Sequence, residues 1–199
     1  MIYLLFLIAE AESFRRRVNT VFGSERAEAI LEVVRDINKA ISDYISVKTL
    51  VSFLVALSST IVLGLFQVDF FLLWGILTFL LNFIPYVGSA VALVLPIGLA
   101  LLQFGFGWQF IAVLLLLSAV QSAIGYVVEP KLTGERLDLS PIMIMLALAF
   151  WAWLWGFVGA VLAVPLIVSV KVILDHIEAT RPIAGLMSNM PAIRHDRNS

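Results

Sequence analysis

The run Asn82-Phe83-Ile84-Pro85-Tyr86-Val87-Gly88-Ser89 sets a carboxamide, a proline, a phenol and a glycine inside an apolar stretch. Pro85 has no N–H, so in a running helix the carbonyl of Leu81 loses its partner and the helix bends. In hydrocarbon such a carbonyl must meet a neighbouring helix, a water or a bound solute. Asn82 adds an amide, and Gly88 permits a tight turn or a close helix approach. Broken helices with freed backbone groups build the central site of many secondary transporters. The same residues equally serve to turn the chain at the inner membrane face. Asn82, Pro85, Tyr86 and Gly88 are therefore candidates for lining a transport path. Gln121 joins them, because a buried carboxamide needs several partners. Glu129 and Lys131 join as ionisable groups at the mouth of an apolar segment, suited to carrying protons or gating. Most Ser and Thr in the apolar segments read as helix-packing residues.

Other chemistries are not provided for. The sequence holds no nucleophile–base–orienter set and no Walker-type loop, so no catalytic residue is expected and an enzyme is not the reading. There is no cysteine, and the two histidines, His176 and His195, stand near the C-terminus without a metal-ligand cluster. No metal or cofactor is expected. The net charge of −1 argues against a nucleic-acid partner, which usually requires a basic patch.

The elements that must position these residues are membrane helices. The hydrophobic fraction is 61% and the charged fraction 14%, with a mean hydropathy of +1.02. Between Lys48 and Glu129 the only charged side chain is Asp69, and between Asp138 and Lys171 there is none. Only a bilayer accepts so much apolar surface. The fold class expected is all-α, a polytopic membrane helix bundle with a cytoplasmic amphipathic helix, in contact with membrane lipid. Apolar segments read at 49–66, 69–84, 88–104, 108–128, 141–156 and 157–174, within a membrane domain at 49–178. The last two are short and read as two thin crossings or one re-entrant hairpin. Trp151, Trp153 and Trp155 suit the headgroup level.

Residues 1–9 read as the inner end of an incomplete membrane helix, and 10–48 as a cytoplasmic helical region. From Ser24 as cap, Ile30, Val33, Val34, Ile37, Ile41, Tyr44 and Ile45 recur at helical spacing, with charges on the other face. This helix reads as an oligomer contact, a gate element, or a helix lying on its own membrane domain or on the lipid surface. Residues 179–199, broken by two prolines and a glycine, read as a flexible cytoplasmic tail. Lys and Arg are confined to 10–48, the loop 129–140 and the region from Lys171 onward, which the positive-inside rule places in the cytoplasm. In the loop, Pro130 and Gly134 shape the connection. Ser140 and Pro141 supply a cap and a first helical position for the next helix.

Two stretches together carry a family resemblance. Ile84-Pro85-Tyr86-Val87-Gly88 is followed by Pro130-Lys131-Leu132-Thr133-Gly134, then Leu139-Ser140-Pro141, then Gly156-Phe157-Val158-Gly159 and Pro165. In order and spacing this resembles the autoinducer-2 exporter-like family of prokaryotic membrane transporters, over roughly residues 1–178. The resemblance implies a secondary transporter or exporter in the cytoplasmic membrane. Its solute would be a small molecule or ion, either an autoinducer-2-like signal molecule or Na⁺ in exchange for H⁺. A homo-oligomer is expected. Members of the family are longer at the N-terminus, so a non-transporting scaffold or inactive fragment is the alternative.

Overall fold

The structure, a computed structural model, describes Val21 and residues 24–133 and 139–188. The expectations for residues 1–9, for Gly134 and for the tail beyond Ser188 lie outside the described residues. Within them every regular element is a helix, joined by short turns, and there is no strand.

Helix α1 runs unbroken from Ser24 to Leu65, with no proline and no glycine before Gly64 to interrupt it. At 1.5 Å per residue its 42 residues reach about 63 Å, twice a bilayer core. The amphipathic stretch and the first apolar segment are thus one rod. It ends where Gln67 and Phe70 take positive φ values of 55° and 58°. The Gln103 side chain holds this turn, accepting from the Asp69 N–H and donating to the Gln67 carbonyl, both at 2.9 Å.

Helix α2, Phe71–Leu81, packs back along α1, with Gly75 pressed on the Thr60 hydroxyl. Its 11 residues span about 16 Å, too little to cross a membrane alone. Helix α3, Val87–Phe104, returns antiparallel beside it. Of the two readings of Pro85, a bent helix or a turn, the intervening segment is the turn. The Leu81 carbonyl is not left free, because the Ile84 N–H donates to it at 2.9 Å and Gly88 lies directly against it. Proline here sits in a reversal between two helices.

Helix α4, Trp108–Ala123, continues through a π-helical turn, Ile124–Val128, into the short α5, Glu129–Thr133. Helix α6, Pro141–His176, contains a reversal at Gly156 (φ 61°, ψ −138°), making it a helical hairpin. The contacts fix the pairing: Leu148 packs with Ala160 and Ala163, while Leu139 and Ile144 pack with Val164 and Val168. Among the described residues four helical stretches have the length and apolar composition to cross a membrane: Ala27–Leu65, Val87–Phe104, Trp108–Leu132 and Pro141–His176, the last folded at Gly156 into two arms.

The Ser140 side chain makes no capping bond. Its N–H instead donates to the Met187 carbonyl at 2.8 Å, docking α7, Arg181–Met187, against the start of α6. The stretch read as a tail therefore begins with a helix whose Ala184 and Met187 are buried.

Three apolar clusters bind these parts. Leu63, Val68, Ala100, Val113 and Leu117 join α1, α3 and α4. Ile84, at the first hairpin's tip, packs on Leu148, Ala160 and Ala163 of the second hairpin. Tyr44 packs with Leu139, Val164, Val168 and Met187 at the base. Phe53, Leu57 and Ile61 on α1 face outward, as surfaces bathed in lipid do.

Candidate functional site

The buried face of α1 is not uniformly apolar. Tyr44, Lys48 and Ser52 follow at four-residue steps and are 9%, 6% and 0% exposed. Residues so spaced stand one above another on a helix. Each meets a different element.

Ser52 meets the first hairpin tip. The Asn82 side chain, 2% exposed, donates through Nδ2 to Ser52 Oγ at 3.0 Å. Its Oδ1 accepts from Ser89 Oγ, also at 3.0 Å. The Asn82 backbone N–H is held by the Thr78 carbonyl at 3.0 Å. One carboxamide thus ties α1, the end of α2 and the start of α3 together.

One turn further along α1, the Lys48 ammonium lies 2.6 Å from Glu129 Oε1. The lysine side chain is 7% exposed and the glutamate 32%. Glu129 opens α5 directly after the π-helical turn, which sets the direction in which it leaves α4. Removing one partner of a buried pair strands the other charge, at a cost of about 3–5 kcal/mol. Another turn along, the buried Tyr44 hydroxyl has no hydrogen-bond partner among the described residues.

The structure therefore brings Asn82 and Glu129 onto one stripe, through Ser52 and Lys48. No side-chain hydrogen bond joins Tyr86 or Gln121 to them among the described residues. Tyr86 is half exposed at the hairpin tip, with φ 60° and ψ −61°, and the Val87 N–H reaches over it to the Pro85 carbonyl at 2.6 Å. Gln121 is half-buried on α4, and Lys131 is exposed on α5 beside Pro130. Gly156 forms the second hairpin's corner, Gly159 lies against the Trp151 carbonyl, and Pro165 is buried in the return arm. Pro141 is the first residue of α6.

These polar groups face one another rather than an open chamber. A groove of about 390 Å³ between α1 and α2 is lined by apolar residues such as Phe53, Leu72 and Phe79, and includes none of the candidates. Among the described residues no group of His, Asp and Glu side chains could hold a metal ion.

Sequence reading missed Tyr44, Lys48, Ser52 and Ser89 as site residues. Tyr44 counted as an apolar position and Lys48 as a topological charge. The signal present was a phenol, an amine and a hydroxyl at four-residue steps along one helix face.

The chain is similar to known transport proteins. A Borreliella burgdorferi protein provisionally named as a transport protein is 37% identical over 175 residues, covering 87% of this chain and 48% of its own length. A provisionally named Haemophilus influenzae transport protein is 33% identical over 192 residues, 96% of this chain and 55% of its own. The AI-2 transport protein TqsA of Escherichia coli is 32% identical over 190 residues, 96% of this chain and 54% of its own. The chain thus spans about half the length of these relatives. The sequence pattern of AI-2E family transporters matches residues 1–179, so this multi-pass, all-helical chain belongs to the AI-2E family of membrane transporters.

Proposed function

We propose that the chain carries the translocation path of a secondary transporter in the cytoplasmic membrane, closed in the present conformation. The observation that supports this best is the polar ladder Lys48–Glu129 and Ser52–Asn82–Ser89, one turn apart along the buried face of α1. Buried ionisable and amide groups in a membrane domain are costly and usually serve passage of a solute or ion. The orientation follows from Lys and Arg placement: the N-terminal region, the loop 129–140 and the C-terminus face the cytoplasm. With Leu65 at the outer face, Ser52 lies about 20 Å and Lys48 about 26 Å along α1. In a core about 30 Å thick, the ion pair then stands near the inner boundary and Asn82 one turn deeper.

The solute is small and polar. An autoinducer-2-like signal molecule is the first choice, because TqsA is named for AI-2 transport. Exchange of Na⁺ for H⁺, which the family resemblance also implies, is the second. The working unit is a homo-oligomer in which lipid and further copies cover the outward apolar faces. A structural reading also has a specific support. Both polar ends of the Asn82 side chain are already bonded within the chain, as they would be in a scaffold.

Transport decides between them. Purified chain in proteoliposomes is offered autoinducer-2, and separately Na⁺ against a pH gradient. Uptake of either above protein-free liposomes, lost in Glu129→Gln, is the expected result. Movement of neither contradicts the transporter reading.

A further inference from the structure

The Lys48–Glu129 pair and the Tyr44 hydroxyl sit in a particular order along α1, beside the one π-helical turn among the described residues. A π turn holds an extra residue within a helix and marks functional sites more often than chance. Its reversion to α geometry shifts the register by one residue and turns everything beyond it by about 100°. Glu129 is the first residue beyond it. Such a turn carries the carboxylate off Lys48.

The lysine would then be a buried charge without a partner, which a low-dielectric interior does not tolerate. Tyr44 answers that need. Its hydroxyl is buried and has no hydrogen-bond partner among the described residues, and it lies four residues before Lys48 on the same face. A phenol oxygen accepts a hydrogen bond from an ammonium. The Tyr44 ring is held in place by Val164 and Val168 of α6, so the oxygen waits at a fixed point.

We propose that the Lys48–Glu129 pair is the inner gate of the path, opened by relaxation of the Ile124–Val128 π turn, with Tyr44 receiving Lys48 in the open state. This rests on the transporter reading and adds its inner closure. The gate separates the cytoplasm from Ser52 and Asn82, which stand one turn deeper.

The chain contains no cysteine, so a single Ser52→Cys substitution gives a unique reporter just behind the gate. The full chain, in inside-out and right-side-out vesicles, is treated with a membrane-impermeant maleimide. With the gate intact, labelling is slow from both sides. Glu129→Gln should raise the rate from the cytoplasmic side at least about tenfold, because the pair no longer holds. The exchange Lys48→Glu with Glu129→Lys should restore slow labelling. Tyr44→Phe, which keeps the ring, should slow labelling about threefold below the Ser52→Cys chain by removing the receiving oxygen.

Unchanged labelling in Glu129→Gln overturns the gate, as does fast labelling in the exchanged pair. Unchanged labelling in Tyr44→Phe removes Tyr44 from it, and decides alone should Glu129→Gln fail to accumulate. Labelling needs no solute. A chain that labels as expected yet moves nothing would therefore contradict transport and not the gate.

Discussion

The two helical hairpins reverse in the same way and are furnished differently. At the first tip Gly88 lies against the Leu81 carbonyl and the Ile84 Cβ; at the second, Gly159 lies against the Trp151 carbonyl and the Trp155 Cβ. In each, a glycine just past the corner lets the returning arm touch the backbone of the outgoing one. In each the corner residue has φ near +60°, but the first is Tyr86 and the second Gly156. The first tip also carries Asn82, bonded to Ser52 and Ser89. The second has apolar and aromatic neighbours, with Trp151 and Trp155 rings 5.0 Å apart. The backbone task is met without polar side chains in the second hairpin. The polar side chains and the strained tyrosine of the first therefore answer some other need.

The comparison can be broken at its shared feature. Gly88→Ala and Gly159→Ala each drive a Cβ into a backbone carbonyl, which no side-chain rotation relieves. Each should cost about 3 kcal/mol, the upper range for overpacking, read as a large fall in detergent melting temperature. Equal losses support a common mechanical role; loss in only one would separate the hairpins.

The corners should then behave in opposite directions. Gly156→Ala meets open space but forces a Cβ into a conformation that only glycine adopts easily, at about 1–3 kcal/mol. Tyr86→Gly relieves positive-φ strain of order 1 kcal/mol at the first corner, so melting should hold or rise while transport falls. Melting that drops equally in both would make Tyr86 a packing residue.

Smaller effects sharpen the contrast. Ser89→Ala leaves Asn82 Oδ1 without its donor and should cost about 0.6 kcal/mol, near the average for hydrogen bonds between membrane helices. Gly98→Ala, on the same helix with nothing nearby, should be neutral or slightly stabilising.

Much of this architecture was legible in the sequence, for identifiable reasons. Hydropathy announces membrane helices, and glycine, proline and short polar breaks mark their ends. Whether a break bends a helix or reverses it depends on what the next arm packs against, and that contact is tertiary. Hence Pro85 and Gly156 were located but their geometry stayed open. The absence of proline and glycine between Ser24 and Gly64 already permitted one long rod through Lys48, although the charge pattern divided it. The site was legible only by halves. Asn82 and Glu129 stand out as polar groups in apolar runs, but their partners lie 30 and 81 residues away in the chain. A single sequence does not display such pairs.

The central claim is that the first hairpin tip differs from the second because it serves passage as well as folding. Asn82→Leu tests it most directly, in a chain first shown to transport. The substitution removes the carboxamide shared by Ser52 and Ser89 at a stability cost of about 1 kcal/mol, within the range for such bonds in membranes. Initial transport rate is measured in proteoliposomes at matched amounts of assembled protein. The account expects melting within a few degrees of the parent and a transport rate reduced about tenfold or more, the scale on which a lost polar contact to a solute acts. A parental transport rate in well-assembled Asn82→Leu would contradict it, leaving Asn82 as a clamp between three helices.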